Sequence, residues 1–183
     1  MSKSLLLKLA RDSITEVFEA TSIINREELL KDYPILNEPL ACYINIYINN
    51  KLRGKSGSVI TEKSLLEEIV FHAKSAAFLD ADYTPLKVSD YINATLELSL
   101  ITPLEKLNYT DISDIQKQVS QDNGLLISTP TSQAFLLPSN WFTYDTFDKF
   151  FSKLLKDAGI NLEEKPDIYS FEVEKERDTP LVS

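Results

Sequence analysis

Apolar and polar side chains alternate most regularly in two segments of the chain, residues 42–49 and 91–101. Successive side chains of a β-strand point to opposite faces, so this alternation predicts two strands. One polar face and one apolar face are typical of an antiparallel sheet with one side in water. The apolar positions of the later strand are Ile92, Ala94, Leu96, Leu98 and Leu100.

Shorter apolar runs predict the remaining strands. Asn49 and Asn50 tolerate positive φ, which indicates a turn and an antiparallel return over residues 52–60. Further strands are predicted over residues 125–128, 133–137 and 168–174. We expect one mainly antiparallel sheet, built from residues 41–60, 91–102, 124–137 and 167–175.

Other segments repeat their apolar residues at helical spacing. The most regular is residues 61–78, where a broad apolar face includes several alanines that allow close approach of another element. Gly159 stands where a helix C-cap is preferred. Helices are predicted over residues 3–20, 25–33, 61–78, 111–119 and 147–158. Strands and helices together indicate an α+β fold.

The chain length favours a single domain over residues 1–183, with a core from 5 to 175 and a frayed tail from 176 to 183. The net charge is -9, with 19 basic and 28 acidic residues and no basic run. We therefore expect no binding to nucleic acid or to anionic membranes. No apolar segment approaches the ~18 residues of a membrane span, and the start of the chain does not resemble a signal peptide, so the cytoplasm is the expected location.

One cysteine and one histidine restrict the possible chemistry. Cys42 has no partner for an intrachain disulfide, and neither a cysteine-based zinc site nor a two-histidine metal site can be built. We predict no metal site and no particular cofactor. Cys42 alternates with isoleucines and is interpreted as a small buried hydrophobe. A Ser-His-Asp triad would have to use His72, for which we favour a partly buried or rim position.

Two short motifs contain candidate functional residues. Gly54-Lys55-Ser56 resembles the end of a P-loop, but Asn49 occupies the position of the first glycine and the following residues look like strand. A glycine-bearing strand or bulge is the favoured interpretation. Asp80 and Asp82 are a carboxylate pair able to do acid–base work or bind a cation, although loop acids are more often solvated or capping residues.

An ordered set of motifs resembles one protein family. The set comprises Ala10-Arg11, Leu52-Arg53-Gly54-x-x-Gly57, Ala73-x-x-Ala76-Ala77 followed by Asp80, Leu98-Ser99-Leu100-Ile101-Thr102-Pro103, Gly124-Leu125-Leu126-Ile127, Phe135-Leu136-Leu137-Pro138 and Ala158-Gly159-Ile160. In this order and spacing it resembles the AMMECR domain family, over roughly residues 5–175. The resemblance implies an α+β fold with two lobes around a cleft. It establishes no activity, but some relatives look fused to, or encoded beside, a Memo-like domain and a radical SAM protein.

The chain departs from the family pattern at three positions in two motifs. Lys55 and Ser56 stand where the family's glycine motif has Cys and Ile, and Asp82 stands where its acidic loop has Arg. A lysine supplies neither the nucleophilicity nor the metal affinity of a thiolate. We expect Lys55 and Asp82 to approach within the ~4 Å of an ion pair, with Arg53 and Asp80 nearby; drift of two exposed loop residues is the alternative.

Three functions fit these features, in this order. The first is a non-catalytic module that binds a partner or a small ligand in an interlobe cleft. The second is an enzyme of unknown reaction that uses four residues of the candidate cleft: Arg53, Lys55, Asp80 and Asp82. The third is a structural subunit of a complex. The residues of that cleft are Arg53, Gly54, Lys55, Ser56, Gly57, Asp80 and Asp82.

Overall fold

The structure is a computed structural model that describes residues 3–181. Its helices are α1 (Lys3–Glu19), α2 (Arg26–Asp32), α3 (Leu65–Phe78), α4 (Val88–Tyr91), α5 (Ile112–Gln118) and α6 (Phe147–Ala158). Its strands are β1 (Cys42–Ile48), β2 (Lys51–Gly57), β3 (Ala94–Ile101), β4 (Glu105–Lys106), β5 (Gly124–Ser128), β6 (Gln133–Leu136), β7 (Asp167–Phe171) and β8 (Val173–Arg177). Short 3-10 turns span Pro34–Asn37, Pro138–Phe142 and Leu162–Glu164. The α+β prediction is confirmed.

The chain forms two compact units, each with its own sheet. The first unit comprises residues 1–101 and 174–183, and the second comprises residues 102–173. One four-stranded sheet has the order β2-β1-β3-β8, and the other has the order β4-β7-β5-β6. The prediction of one sheet is wrong because alternation identifies strands but does not specify which strands pair.

The first sheet is built around β1. This strand pairs antiparallel with β2 and β3, so Ile46 lies opposite Gly54 on one side and Leu96 on the other. The apolar face of the sheet packs against α1 and α3. The apolar residues of the alternating strands β1 and β3 are therefore buried in this core. It includes Leu6, Ile14, Ile44, Ile46, Leu66, Ile69, Leu96 and Leu98.

The opposite face of this sheet is less exposed than alternation predicts. Ser99 is 3% exposed and Glu97 is 8% exposed, so the expectation of a uniformly wet face is wrong. Glu97 accepts hydrogen bonds from Asn45 Nδ2 at 3.2 Å and the Tyr47 hydroxyl at 3.3 Å, and Lys175 Nζ lies 3.4 Å away. A buried carboxylate is tolerated when it is paired in this way.

Helix α3 begins four residues later than predicted. The Ser64 side chain accepts a hydrogen bond from the Glu67 amide, and the Glu67 side chain accepts one from the Ser64 amide. This capping box satisfies two backbone donors at the helix start. It sets the first helical residue at Leu65 instead of Thr61.

The second unit has a separate core beneath its own sheet. Strand β5 pairs antiparallel with β6 and with β7, and α6 contacts β5 and β6. Trp141 stacks on Phe150 of α6 with ring centroids 3.9 Å apart. Gly159 caps α6 with φ of 64°, a conformation that glycine adopts without steric cost. Trp141 and Phe150 therefore belong to the core of this unit, whereas the neighbouring Phe142 is 94% exposed.

The C-terminal segment is not the frayed tail that its composition suggests. Strand β8, which ends at Arg177, is part of the first sheet. Beyond it, the Asp178 amide donates to the Leu96 carbonyl oxygen and the Leu181 amide donates to the Ile92 carbonyl oxygen, each at 3.0 Å. Hydrogen bonds to residues distant in the sequence hold this segment in place, and such bonds cannot be predicted from the local amino-acid composition. Residues 182–183 lie outside the described part of the chain. Between residues 3 and 181, no helix is both long and apolar enough to cross a membrane.

Candidate functional site

The glycine-bearing strand β2 lies very close to helix α3. A Cβ atom on Gly54 would lie 2.1 Å from the carbonyl oxygen of Ala76. Real contacts are never this short, so only glycine allows the helix backbone to approach the strand. Gly54 and the alanines of α3 therefore bring the end of the helix, and the loop that follows it, beside β2.

Arg53 and Asp80 attach that loop to the strand. One Asp80 carboxylate oxygen accepts from the Lys55 amide at 2.8 Å, and the other accepts from the Asp82 amide at 3.0 Å. Arg53 Nη2 donates to the Thr84 carbonyl oxygen at 2.6 Å and to the Thr84 hydroxyl at 3.1 Å. Arg53 and Asp80, two residues that match the family pattern, therefore connect the loop to the strand. We call this connection the scaffold.

Lys55 and Asp82 lie side by side on this scaffold. Lys55 Nζ is 3.4 Å from Asp82 Oδ2, and their side chains are 42% and 67% exposed. The prediction that these residues form an ion pair is confirmed. Partial burial disfavours the charged form of Lys55, but the hydrogen bond to Asp82 and the nearby carboxylates outweigh it and raise the Lys55 pKa. Lys55 is therefore a protonated, solvent-accessible cation at neutral pH.

Gly57 allows the Tyr43 side chain to lie across β2. A Cβ atom at Gly57 would lie 2.3 Å from Cδ2 and 2.5 Å from Cα of Tyr43. Burial raises the pKa of Tyr43, while the charge of Lys55 acts in the opposite direction. Of the candidate residues, Arg53, Lys55, Gly57, Asp80 and Asp82 thus belong to one strand–loop surface, and Gly54 lies beneath it against α3.

Ser56 lies on the opposite face of β2, away from Lys55. It pairs with Ile44 on the helix-facing side, and its hydroxyl oxygen is 2.8 Å from Nδ1 of His72. Nε2 of His72 is 3.1 Å from Oε2 of Glu68. Glu68 also accepts hydrogen bonds from the hydroxyls of Ser58 at 2.9 Å and Thr61 at 2.8 Å.

Sequence reasoning missed this polar cluster. His72 is 6% exposed and Glu68 is 4% exposed, so both are more buried than charged or polar side chains usually are. Their spacing of four residues on one predicted helix was the available signal, because side chains four apart lie on the same helix face. Contact with Ser56 depends on the packing of β2 against α3, which the spacing does not reveal.

Two other candidates behave as the sequence indicates. Cys42 is fully buried, and burial raises its thiol pKa far above the ordinary range, as expected for a structural cysteine. The segment from Gly54 to Gly57 continues β2 and opens no helix, which excludes a P-loop. Among residues 3–181, no three His, Cys, Asp or Glu side chains are grouped to hold a metal ion.

Comparison with known proteins identifies relatives by sequence. A protein of Aquifex aeolicus is 26% identical over 181 residues, covering 94% of this chain and 92% of its own length. A protein of Saccharolobus solfataricus is 30% identical over 129 residues, covering 67% of this chain. The match spans 55% of the Saccharolobus protein.

A solved structure has the same fold. The crystal structure of an uncharacterised protein from Pyrococcus horikoshii superimposes with a TM-score of 0.82 at 22% sequence identity, covering 97% of this chain and 92% of that one. At this level of identity the likeness concerns the fold. The family model AMMECR1 matches residues 7–176, which is most of the chain. The protein belongs to the AMMECR1 family.

Proposed function

We propose that the strand–loop surface around Lys55 and Asp82 is a non-catalytic binding site for a small ligand or protein partner that presents an anionic group. The observation that supports this most directly is the exposed ion pair, 3.4 Å between Lys55 Nζ and Asp82 Oδ2. An exposed pair contributes only about 0–1 kcal/mol, so an incoming carboxylate or phosphate can replace Asp82 beside Lys55 at small cost.

The scaffold suits recognition because it is positioned before the ligand arrives. The Lys55 backbone is held by its neighbours in β1 and by the Asp80 carboxylate at 2.8 Å. Gly54 fixes the distance between the strand and α3. A side chain on a rigid element loses less conformational freedom on binding than one on a mobile loop, which favours affinity.

The same geometry argues against catalysis by Lys55. A lysine that serves as a general base or forms a Schiff base needs a pKa lowered toward neutrality. The Lys55 pKa is raised instead, because Asp82 and Asp80 stabilise its charged form more than partial burial opposes it. Lys55 therefore serves electrostatic recognition. A Memo-like or radical SAM protein partner and a cytoplasmic location stay predictions.

A thermal-shift titration tests this proposal. The probes are phosphate, acetate, citrate and glutamate at constant ionic strength, because ligand bound to the native state raises the unfolding midpoint. We expect at least one probe to raise the midpoint of the wild-type protein and to lose that effect in Lys55→Ala. Lys51→Ala is the matched control, since Lys51 is an exposed lysine at the start of the same strand.

The control variant is expected to keep the wild-type shift. Equal shifts in Lys55→Ala and wild type would place the anion elsewhere and contradict the proposal. The absence of any shift with all four probes would also contradict a site that recognises an anionic group.

A further inference from the structure

The cluster behind Ser56 has the arrangement of an activated nucleophile. His72 Nδ1 lies 2.8 Å from the Ser56 hydroxyl oxygen, and His72 Nε2 lies 3.1 Å from Glu68 Oε2. A carboxylate accepts hydrogen bonds, so Nε2 carries the proton and donates to Glu68. Nδ1 is then the bare nitrogen, and it accepts the proton of the Ser56 hydroxyl.

Such chemistry requires an accessible nucleophile and a base shielded from water, and the burial of the three residues meets this requirement. Ser56 is partly exposed and lies on β2, which is an edge strand of its sheet. His72 and Glu68 are 6% and 4% exposed. The nucleophile is therefore the outermost group, and the base and the carboxylate that orients it are both buried behind it.

We propose that Ser56, His72 and Glu68 form a nucleophile–base–orienting array that attacks small carboxylic esters. This site lies on the opposite face of β2 from Lys55, so the inference is independent of the anion site proposed above. A serine hydrogen-bonded to a histidine that a carboxylate orients is the arrangement that activates hydroxyl nucleophiles on unrelated folds.

His72 accepts and returns the proton in each step of ester hydrolysis, so no further acid or base is needed. Ser56 Oγ bonds to the ester carbonyl carbon while its proton passes to His72 Nδ1. The bond from carbon to the leaving alcohol oxygen then breaks, and His72 returns the proton to that oxygen. Water attacks the acyl-serine, gives its proton to His72, and the acid departs as Ser56 Oγ recovers the proton. Glu68 is a positioning residue, because it touches His72 and not the substrate.

Phe71 suggests the kind of acyl group that fits. Its ring is 50% exposed and lies edge-on to the His72 imidazole, with centroids 5.1 Å apart. Phe71 thus presents an apolar surface beside the base, and Lys63 Nζ lies 4.7 Å from its ring centroid. This apolar surface suits a short apolar acyl group.

Burial, more than the neighbouring charges, keeps His72 unprotonated and able to accept a proton. Burial lowers the His72 pKa, Glu68 opposes this effect, and Lys63 in the turn before α3 adds to it. The resulting pKa lies below the ordinary value, so the imidazole is neutral and basic at pH 7. Ser58 and Thr61 contact Glu68 from the strand side and carry no charge.

Covalent labelling with a fluorophosphonate tests the array in the intact chain. Attack by Ser56 forms a P–O bond, expels fluoride and passes the hydroxyl proton to His72. We expect one adduct, mapped to Ser56 by peptide mass spectrometry and absent in Ser56→Ala. Ser132 is the internal control, because it is also partly exposed but its hydroxyl donates to the Ala158 carbonyl oxygen. Labelling of Ser56 should exceed that of Ser132 by about 100-fold or more, the usual effect of a positioned base.

The pH profile and two variants distinguish a Ser56 hydroxyl activated by His72 from one that is only exposed to the reagent. In wild type, the labelling rate should fall as pH drops through a value below 6.5, where His72 becomes protonated. His72→Gln should reduce the rate to that of Ser132, and Glu68→Gln should lower the rate and move the pH profile further toward acid. Turnover of p-nitrophenyl acetate should be lost in Ser56→Ala.

Three results would overturn the proposal. They are the absence of an adduct at Ser56, equal labelling of Ser132, and a Ser56 labelling rate that does not fall as the pH is lowered from 8 through the whole range in which the protein stays folded. The last result uses only wild-type protein, so it decides the question even where the His72 variant fails to fold. None of these outcomes bears on anion binding at Lys55, which is measured separately.

Discussion

Two ion pairs of the first unit differ in burial, and the difference indicates what each contributes. Arg11 Nε lies 2.7 Å from Asp178, and the two side chains are 9% and 20% exposed. Lys55 lies 3.4 Å from Asp82, with 42% and 67% exposure. A pair shielded from water interacts strongly and becomes very unfavourable when broken, whereas an exposed pair contributes little.

Their hydrogen-bond environments differ in the same direction. Arg11 Nη2 also donates to the Ala94 carbonyl oxygen at 2.6 Å, and Asp178 Oδ1 accepts from Nη2 at 3.0 Å and from the Leu96 amide at 2.7 Å. This network connects α1, β3 and the C-terminal segment. The Arg11 pair therefore maintains the fold, and the Lys55 pair stays accessible to solvent.

The largest expected effect is loss of stability in Arg11→Ala. Removing one partner strands the carboxylate of Asp178, and breaking a pair of this kind costs about 3 kcal/mol or more. Urea unfolding measures the change in the free energy of unfolding. Arg11→Lys is the matched variant, because it keeps the charge but loses the bidentate contact, and it should fall between wild type and Arg11→Ala. A loss below about 1 kcal/mol in Arg11→Ala would remove the distinction between the two pairs.

A smaller loss is expected when the scaffold beneath the exposed pair is changed. Gly54→Ala places a Cβ atom 2.1 Å from the Ala76 carbonyl oxygen and forces β2 away from α3. Overpacking of this kind typically costs about 1–3 kcal/mol, measured by urea unfolding. The matched control is Gly159→Ala, where φ is 64° and no atom lies within 4 Å of the added Cβ.

The control isolates backbone strain from steric contact. Gly159→Ala should cost about 1 kcal/mol from its left-handed backbone alone. Equal losses in the two glycine variants would show that β2 moves away from the helix without penalty, and the scaffold interpretation would then be wrong.

The sequence predicted most elements of the first unit because local patterns decide them. The alternation around Ile44 and Leu98 predicted β1 and β3, and the alanines near Ala76 predicted the close approach of another element, which is β2. The Lys55–Asp82 contact was also predictable, because both residues belong to motifs that the family resemblance brings together.

Features that depend on distant partners were not predictable. Asp178 lies 167 residues from Arg11, and its local surroundings are charged and proline-containing, which resembles a frayed tail. The division into two sheets depends on which strands pair. The spacing of hydrophobic residues identifies a strand but does not specify its partner. Contact between Ser56 and His72 likewise requires the register of β2 against α3.

The smallest expected effect is the coupling energy of the exposed pair. A double-mutant cycle with Lys55→Ala, Asp82→Ala and the double variant should give about 0–1 kcal/mol from urea unfolding. Sodium chloride at 1 M should reduce the coupling toward zero, because the Debye length is then about 3 Å. Coupling above about 1.5 kcal/mol that persists in salt would mean that the pair is structural, like Arg11 and Asp178. Lys55 would then be too strongly held by Asp82 to release it for an incoming anion.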